Sequence, residues 1–507
     1  DRFLRLGDSP SNHHGFNQTT LALRVSRVHN GVSRIHGSVA SEMEGYVWPE
    51  IPPEENPIGY VTNGIHVPTF LAREWVNVLD MQFGGGWRNE LLNDEFWESI
   101  EEIPDHSFWS LRQSLKAGLL EEAYRRTTFQ YRRNGYSESQ IERLTRYLRP
   151  NETDVLTVGF ARRFATYKRA TLLFSNPERL ARLLNNPERP VLFVFAGKAH
   201  PHDQPGQHLI RVIHDFSRRP EFEGKIILLE DYDLSLGRKL VTGVDVWLNN
   251  PEFPLEASGT SGQKAAINGV VNLSITDGWW GEGYNGANGW AITPHGPQYD
   301  PAFRNQEEAQ ELLDILEHQV IPLYYDRNGH GFSEGWVAKS KASMKSVMPR
   351  FNAQRMVMDY THGYYAVASR QARRLAKDKH APAAELAAWK RHVLQAWPSV
   401  RLRRTDAVAT VLNAGDQLPI EVAAQLGKLT PEDVAVECLV GTENEAGEFQ
   451  VHASYHLDLE GSNDQGETLF RLDLTPTLAG MQYYKLRMYP YHPLLGHRFE
   501  LGRMIWV

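Results

Sequence analysis

The chain of 507 residues has room for about three domains and for large hydrophobic cores. Its net charge of −8, from 54 basic and 62 acidic residues, argues against a nucleic-acid partner. Cys438 is the only cysteine, which excludes an internal disulfide and a cysteine zinc site and favours a reducing, cytoplasmic compartment. No window approaches the roughly 18 unbroken apolar residues of a membrane span, so we expect no membrane partner.

The first part of the chain has a helical pattern but no leader. It begins at Asp1 without an initiator methionine, a basic segment or an apolar leader, and residues 16–43 are typical of an ordered helix. We therefore expect the natural N-terminus to lie upstream. The apolar residues of 87–149 and 307–377 also recur with helical spacing, and these helices are expected to cover the faces of a sheet.

From residue 154 onward, short apolar runs alternate with polar helical stretches. The predicted strands are 154–160, 191–197, 225–230, 244–250 and 270–275. Such alternation indicates an α/β fold with parallel strands, whose carboxyl ends carry the ligand chemistry. Residues that fall at or just past these ends are Gly159, Gly197, Asn249 and Asp277.

The composition changes after about Trp397, where seven short candidate strands follow one another. They are 407–412, 420–426, 435–439, 450–457, 469–474, 483–488 and 504–507. Turn signals between them include Asn413 to Gly415 and the pair Glu460-Gly461. This pattern predicts an antiparallel β-sandwich with a structural or carbohydrate-contacting role.

The segment Glu256-Ala-Ser-Gly-Thr-Ser-Gly-Gln-Lys264 combines three chemical tools. Its small residues allow close backbone approach, and Thr260, Ser261 and the N–H groups of a following helix start are suited to hold a phosphate. Lys264 follows about one turn later, either as a point charge or as the partner of an aldehyde in a Schiff base. The alternative is a Gly/Ser loop that caps a helix beside a solvated lysine. A Walker-type loop fits poorly, because Gln263 separates glycine from lysine.

A second loop is strongly basic. Four cations follow the predicted strand 154–160, and a strand-end loop of this kind is a receptor for a polyanion. The cations are Arg162, Arg163, Lys168 and Arg169. The alternative is a solvated charged face. Two phosphate-binding loops beside one lysine imply either two phosphate groups, or one phosphate and a cofactor that carries its own.

Two other motifs are weaker. His200, His202 and Asp203 contain metal-binding residue types, but a third committed ligand is lacking, so we favour a polar loop and expect no metal. The run from Gly281 to Gly286 has the spacing of a dinucleotide fingerprint, yet a helix does not follow it, and we reject that interpretation.

Taken together, five motifs resemble the α-glucan phosphorylases (glycogen, starch or maltodextrin phosphorylases), particularly their short bacterial branch. The motifs are EASGTSGQKAAING, GFARRFATYKRA, VTNGIHVPTF, NGVSRIHG and GWWGEGYNGANGWAI, and the similarity runs over nearly the whole chain. The resemblance implies a GT-B type glycosyltransferase fold with twin Rossmann-like domains, the first largely missing from this chain, and pyridoxal 5′-phosphate bound as an imine. It also implies transfer of a terminal α-1,4-linked glucose to inorganic phosphate, with release of glucose 1-phosphate and retained configuration.

On this resemblance, residues 1–62 are the tail of the N-terminal Rossmann-like domain, 63–397 the C-terminal one and 398–507 the β-sandwich. The implied catalytic residues are Lys264, Arg163 and Lys168. The implied cofactor-binding residues are Lys264, Thr260, Ser261, Arg162 and Tyr232. The implied substrate-binding residues are Glu256, Ser258, Gly259, Asn63 and Tyr167.

Some positions depart from the family pattern. Phe70 stands where relatives usually carry Trp against the cofactor, Gln263 replaces a common Met, and Ala165 stands where animal and plant relatives carry His. The sequence leaves open whether the protein forms a homo-oligomer. Two other functions also remain: a nucleotide-sugar-dependent glucan synthase of the same fold, and a truncated, inactive fragment that binds glucan and cofactor.

Overall fold

The computed structural model describes residues 3–10, 15–405, 411–413, 415–444, 447, 449–476 and 479–507. These form two compact units, one of residues 31–37 and 60–360 and the other of 1–30, 38–59 and 361–507. The strands are β1 (His29–Gly31), β2 (Ile58–Tyr60), β3 (Leu156–Ala161), β4 (Val191–Ala196), β5 (Ile226–Leu229), β6 (Val246–Asn249), β7 (Val271–Ile275), β8 (Gly289–Ile292), β9 (Arg401–Arg404), β10 (Leu418–Gln425), β11 (Val434–Glu443), β12 (Phe449–His456), β13 (Asp458–Ser462), β14 (Thr468–Leu474), β15 (Tyr483–Pro490) and β16 (Ile505–Trp506).

The helices connect and cover these strands. They are α1 (Gln18–Val25), α2 (Arg34–Met43), α3 (Val67–Phe70), α4 (Arg73–Phe83), α5 (Asp94–Glu98), α6 (Asp105–Arg133), α7 (Glu138–Leu144), α8 (Pro177–Leu184), α9 (Gln204–Ser217), α10 (Leu234–Gly243), α11 (Ser261–Ala266), α12 (Trp280–Gly283), α13 (Pro301–Ile315), α14 (Ile321–Tyr325), α15 (Glu334–Val347), α16 (Ala353–Tyr360) and α17 (Ala366–Ala396). Among the described residues, none of the helices has the length and hydropathy needed to cross a bilayer.

The larger unit is built on a six-stranded sheet in the order β5-β4-β3-β6-β7-β8, in which every neighbouring pair is parallel. β3 and β4 are buried at every position, which explains their continuous apolar sequence: helices cover both faces. The α/β class and the predicted parallel strands are confirmed, with ends shifted by a few residues. Sequence reasoning missed β8, because its residues follow a glycine-rich and tryptophan-rich segment without a recognisable apolar run.

Helix α6 packs on one face of this sheet and carries two buried cations. Its apolar residues join the core formed by β4, β5 and α10. Lys116 is fully buried and forms an ion pair with Asp245, at the entrance to β6. Arg112 donates hydrogen bonds to three backbone carbonyls, those of Thr242, Val244 and Asn268. α6 is therefore fixed to the sheet by hydrogen bonds as well as by apolar contacts.

The predicted continuous helix over residues 16–43 is wrong. The structure has α1, the short strand β1 and then α2 in this segment. Ser33 starts the second helix, since its hydroxyl accepts a hydrogen bond from the N–H of His36 at 3.1 Å. Gly31 comes so close to Gly37 that a Cβ at position 31 would lie 2.5 Å from the Gly37 nitrogen. The chain therefore turns here, where the helical spacing of apolar residues gave no sign of a break.

The smaller unit contains two four-stranded antiparallel sheets, ordered β13-β14-β10-β9 and β12-β11-β15-β16. Side chains of both sheets meet in one core, and this arrangement confirms the predicted β-sandwich. The core includes Ile420, Val422, Phe470, Val436, Cys438 and Met488. The pair Glu460-Gly461, predicted as a turn, instead lies in β13, where the register shifts between Leu459 and Gly461. Most of the predicted strand 407–412 lies outside the described residues, and residues 411–412 belong to no strand.

Candidate active site

Three loops converge at the carboxyl edge of the parallel sheet. The basic loop follows β3, the segment from Asn250 to Thr260 follows β6, and the turn at Asp277 follows β7. Because β3, β6 and β7 are adjacent, these loops become neighbours. Gly197, after β4, lies against the basic loop, since a Cβ at this position would lie 2.0 Å from the carbonyl oxygen of Arg162.

The carboxylate of Glu256 binds two cations of the basic loop. Arg162 Nη2 donates to Oε2 at 2.6 Å, and Lys168 Nζ lies 3.0 Å from Oε1 and 2.8 Å from Oε2. All three side chains are buried. Burial alone would raise the pKa of Glu256, but the charges and hydrogen bonds of Arg162 and Lys168 outweigh it and hold that pKa below its ordinary value. The Glu256 carboxylate is therefore ionised at neutral pH, where it faces two basic side chains.

Several polar atoms around this cluster have no hydrogen-bond partner among the described residues. They include Nε and Nη1 of Arg162 and the hydroxyl of Ser258. Buried donors without an acceptor are rare in folded proteins, and a guanidinium fork is suited to an oxyanion. Arg162 therefore has two buried donor positions beside Glu256 that remain open to an acceptor.

The turn after β7 fixes the backbone of the Glu256 loop. Asp277 Oδ2 accepts from the N–H of Glu256 at 2.9 Å, and the N–H of Trp279 donates to the carbonyl of Ser258 at 2.8 Å. Between them, Gly278 has φ +53°, and a Cβ there would lie 2.5 Å from the Ser258 oxygen. Gly259 has φ +79°, a left-handed conformation that favours glycine. The two segments therefore hold each other in a single conformation.

Helix α11 follows directly and carries Lys264. Thr260 precedes it as the N-cap residue, but its hydroxyl makes no capping bond, while the hydroxyl of Ser261 accepts from Trp247 Nε1 at 3.2 Å. The Lys264 amine is half-buried, lies 4.2 Å from the ring centroid of Phe70, and forms no ion pair within the part of the chain that the structure describes. Burial lowers the pKa of Lys264, which increases the neutral, nucleophilic form of its amine. This environment differs from that of a solvated lysine.

Two amide side chains attach neighbouring segments to α11. Asn268 Nδ2 donates to the carbonyls of Phe70 and Lys264, each at 2.8 Å. Gln263 Nε2 donates to the carbonyl of Asn63 at 2.9 Å. The positions of Phe70 and Asn63 are thus set by the helix that bears Lys264.

The remaining site residues lie less close to the cluster. The Tyr167 ring centroid is 4.7 Å from Lys168 Nζ. Arg163 is exposed, and its side chain forms no hydrogen bond or ion pair among the described residues. Tyr232 is half-buried, and burial, followed by the charge of Asp233, raises its pKa. Of the predicted residues, the structure therefore joins Arg162, Lys168 and Glu256 by direct contacts.

For one of the four cations, Arg169, the predicted place in the polyanion receptor is wrong. Arg169 is buried and donates hydrogen bonds to Glu308 and to the carbonyls of Asn250 and Pro251, so these partners and not Glu256 occupy its guanidinium. Its backbone is left-handed, with φ +48°. A run of charges in a sequence contains no information on side-chain direction.

Sequence reasoning missed two residues of the site's framework. The sequence analysis placed Asp277 just past a strand end, but no sequence pattern predicted its hydrogen bond to the Glu256 amide. Asn268 had none either, since an asparagine near a helix end has many ordinary uses. The predicted polar loop at His200 to Asp203 leads into α9, which Asp203 caps by accepting from Gly206 N at 2.9 Å.

Comparison with known proteins identifies the family. The family model described as carbohydrate phosphorylase matches residues 10–281, and the model for the glycogen phosphorylase C-terminal domain matches 397–507. Maltodextrin phosphorylase of Thermococcus litoralis is 38% identical over 100% of this chain and 58% of its own length. Glycogen phosphorylase of Mycobacterium bovis is 37% identical over 99% of this chain and 58% of its own length. That of Aquifex aeolicus is 42% identical over 72% of this chain and 52% of its own length. The chain thus spans a little over half the length of these relatives, and it belongs to the carbohydrate phosphorylase family.

Proposed function

We propose that this chain provides the cofactor and phosphate sites of an α-1,4-glucan phosphorylase. The reaction transfers the terminal glucose of glycogen, starch or maltodextrin to inorganic phosphate and releases glucose 1-phosphate with retention. The observation that carries this proposal is the buried cluster of Arg162, Lys168 and Glu256 next to the helix of Lys264. Buried charges at fixed positions are suited to a reaction that brings anionic groups together and develops positive charge on a sugar.

The residues present fit pyridoxal 5′-phosphate. Lys264 has a half-buried amine of lowered pKa, suited to covalent attachment of an aldehyde, and the Phe70 ring lies against it. Arg162 has unpaired buried donors for a phosphate group. The residues that would hold the cofactor are Lys264, Thr260, Ser261, Arg162 and Tyr232. When bound, the cofactor supplies a phosphate that donates and accepts a proton.

The chain's own side chains would then bind and orient the substrates. Lys168 and Arg163 would hold inorganic phosphate, because two positive charges reduce the repulsion between the two phosphates. Glu256, with the backbone of Ser258 and Gly259, would accept and donate hydrogen bonds to the transferred glucose. Asn63 would bind its 6-hydroxyl, and Tyr167 would face the sugar.

The ion pairs of Glu256 are compatible with this assignment. Arg162 uses one terminal nitrogen for Glu256 and has two further N–H positions, Nε and Nη1, without partners among the described residues. An anion is therefore able to bind Arg162 without displacing the carboxylate. Glu256 also lowers the cost of keeping two cations buried before an anion binds.

We also infer that the sheet unit is one Rossmann-like domain of a GT-B type fold, with the domain limits 1–62, 63–397 and 398–507 given above. The end of the larger compact unit at residue 360 supports a boundary before the sandwich, whereas α17 and residues 1–30 and 38–59 fall in the compact unit of the sandwich. A cytoplasmic, soluble enzyme that acts on glucan and phosphate, alone or as a homo-oligomer, is consistent with the composition.

Borohydride reduction of the cofactor-loaded protein, followed by peptide mapping, tests the assignment of Lys264. We expect the label on Lys264, and its loss in Lys264→Arg but not in the matched variant Lys198→Arg, which changes an exposed lysine after β4. A label on Lys168 or Lys198, or none, would overturn the assignment. Release of glucose 1-phosphate from maltodextrin and phosphate tests the activity.

A further inference from the structure

Asp277 is a buried carboxylate that no cation neutralises directly. The residue is 1% exposed, and among the described residues the hydrogen-bond partners of its side chain are two backbone N–H groups, with no ion pair. Oδ2 accepts from Glu256 at 2.9 Å and Oδ1 from Gly278 at 2.7 Å. A buried charge is costly unless it is well bonded, so a carboxylate kept at this position requires a physical reason.

The reason lies in the segment that Asp277 holds. The amide bonded to Oδ2 belongs to Glu256, whose side chain binds both Arg162 and Lys168. Each oxygen of Asp277 therefore receives one N–H, and the segment that bears the Glu256 carboxylate is fixed at its first residue. An amide side chain would place an NH2 donor against one of these N–H groups, since it offers a single acceptor oxygen.

We propose that Asp277 is a positioning residue: it orients Glu256 and thereby sets the spacing of Arg162, assigned above to the cofactor phosphate, and Lys168, assigned to the substrate phosphate. This inference rests on the proposed function, because the binding of an anion by Lys168 is part of it. Asp277 touches neither substrate nor cofactor in this scheme. It acts through the backbone of Glu256.

The charged groups that act on Asp277 come from two segments packed against it. Burial, together with the negative charge of Glu256, raises its pKa to about 6, while the two N–H bonds and Lys168 oppose that rise. When pH falls through this value, one oxygen of Asp277 gains a proton and becomes a poorer acceptor. The hold on Glu256 weakens, and anion affinity is expected to fall on the acidic side.

Sulfate is the appropriate probe, since it stays a dianion from about pH 5 to pH 8 and inorganic phosphate does not. We would measure its dissociation constant by calorimetry over that range for the cofactor-loaded wild type and for Asp277→Asn. The matched control is Asp203→Asn, which also removes a carboxylate that accepts a backbone N–H after a sheet strand, at the start of α9. Any titration of the cofactor's own phosphate is common to all three proteins.

We expect the wild type and the control to lose sulfate affinity around pH 6. Asp277→Asn should bind sulfate about tenfold more weakly at pH 7.5, the scale of one buried hydrogen bond to a charged group. Its affinity should fall less in acid than that of the wild type and the control, because only the titration common to all three proteins remains. A variant that keeps the wild-type pH profile overturns the inference, whatever its melting temperature, because a purely structural role would lower stability alone.

A second variant covers the case in which Asp277→Asn does not fold. Gly278→Ala places a Cβ 2.5 Å from the Ser258 oxygen and so displaces the same segment while Asp277 stays in place. It should weaken sulfate binding and keep the acidic step, and unchanged affinity would overturn the inference. Failure of the proposed function is distinguishable, since it would appear as wild-type protein that binds sulfate but forms no glucose 1-phosphate.

Discussion

Replacing Glu256 by Gln removes a charge that two buried cations share and keeps the shape of the side chain. The carboxylate lies 2.6 Å from Arg162 and 2.8 Å from Lys168 at its nearest atoms, with all three side chains buried. Removing one partner of a buried ion pair costs about 3–5 kcal/mol, because it leaves uncompensated charge in the interior. We expect Glu256→Gln to lower the free energy of unfolding by that amount in anion-free buffer.

Added phosphate should restore part of the loss. In this variant Asp277 still holds the backbone of residue 256, so the two cations keep their positions and lose only the competing negative charge. An anion therefore supplies the missing charge and binds more tightly than in the wild type. A ligand at one hundred times its dissociation constant stabilises the folded state by about 2.7 kcal/mol. The pKa of Glu256 is depressed in the folded state, so its stabilising contribution is present above the ordinary pKa and is lost as pH falls through the folded value. The difference between wild type and variant should therefore shrink in acid.

The assay is chemical denaturation of the cofactor-loaded protein with and without phosphate. Glu308→Gln is the matched control, since Glu308 is equally buried and pairs with Arg169, away from Glu256. It should lose similar stability without a larger response to phosphate. If Glu256→Gln unfolds within about 1 kcal/mol of the wild type, or responds to phosphate no more than Glu308→Gln does, the electrostatic account of this cluster is refuted.

Three further predictions concern single residues. Lys168→Ala should raise the dissociation constant of phosphate about 10- to 100-fold, because a buried charge-assisted contact is lost, with a smaller effect on the KM for glucan in steady-state kinetics. Gln263→Met removes the hydrogen bond to Asn63, which destabilises, and also a buried amide oxygen without a partner among the described residues, which stabilises. The free energy of unfolding, measured thermally, should therefore change by less than about 1 kcal/mol, while the KM for glucan rises. Asp277 has a pKa raised to about 6 in the folded protein, so its contribution to stability is fully present below the ordinary aspartate pKa and is lost as pH rises through about 6. Asp277→Asn should not show this loss in denaturation curves recorded from about pH 4 to pH 7.

The strands of the parallel sheet were predictable because burial on both faces requires unbroken apolar runs, as in β3 and β4. β9 was not, since its sequence Arg401-Leu-Arg-Arg404 has one apolar residue and depends on pairing with β10. β13 was missed for a related reason: its residues are exposed, and its glycine suggested a turn. Strands of that kind are specified by their partners more than by their own residues.

The candidate site was predictable in its residue types but not in its contacts. Glycines and a lysine within one loop indicated a phosphate-binding helix start, and a helix, α11, does begin there. The pairing of Glu256 with Arg162 and Lys168 joins loops that are far apart in the sequence, so no local pattern contains it. The direction of Arg169 likewise depends on Glu308, on a distant helix.

The guanidinium of Arg112 reaches three carbonyls, and one of them belongs to Asn268, just beyond the helix of Lys264. Local opening of that helix would leave buried donors on Arg112 and Asn268 without acceptors, which is costly. Transient fraying is therefore suppressed here, and the amide protons of α11 should exchange with deuterated solvent only when the whole sheet unit opens. On the proposed function, the lysine that binds an aldehyde would thus lie on a slowly exchanging helix, and its reactivity would come from the burial of its amine and not from backbone motion.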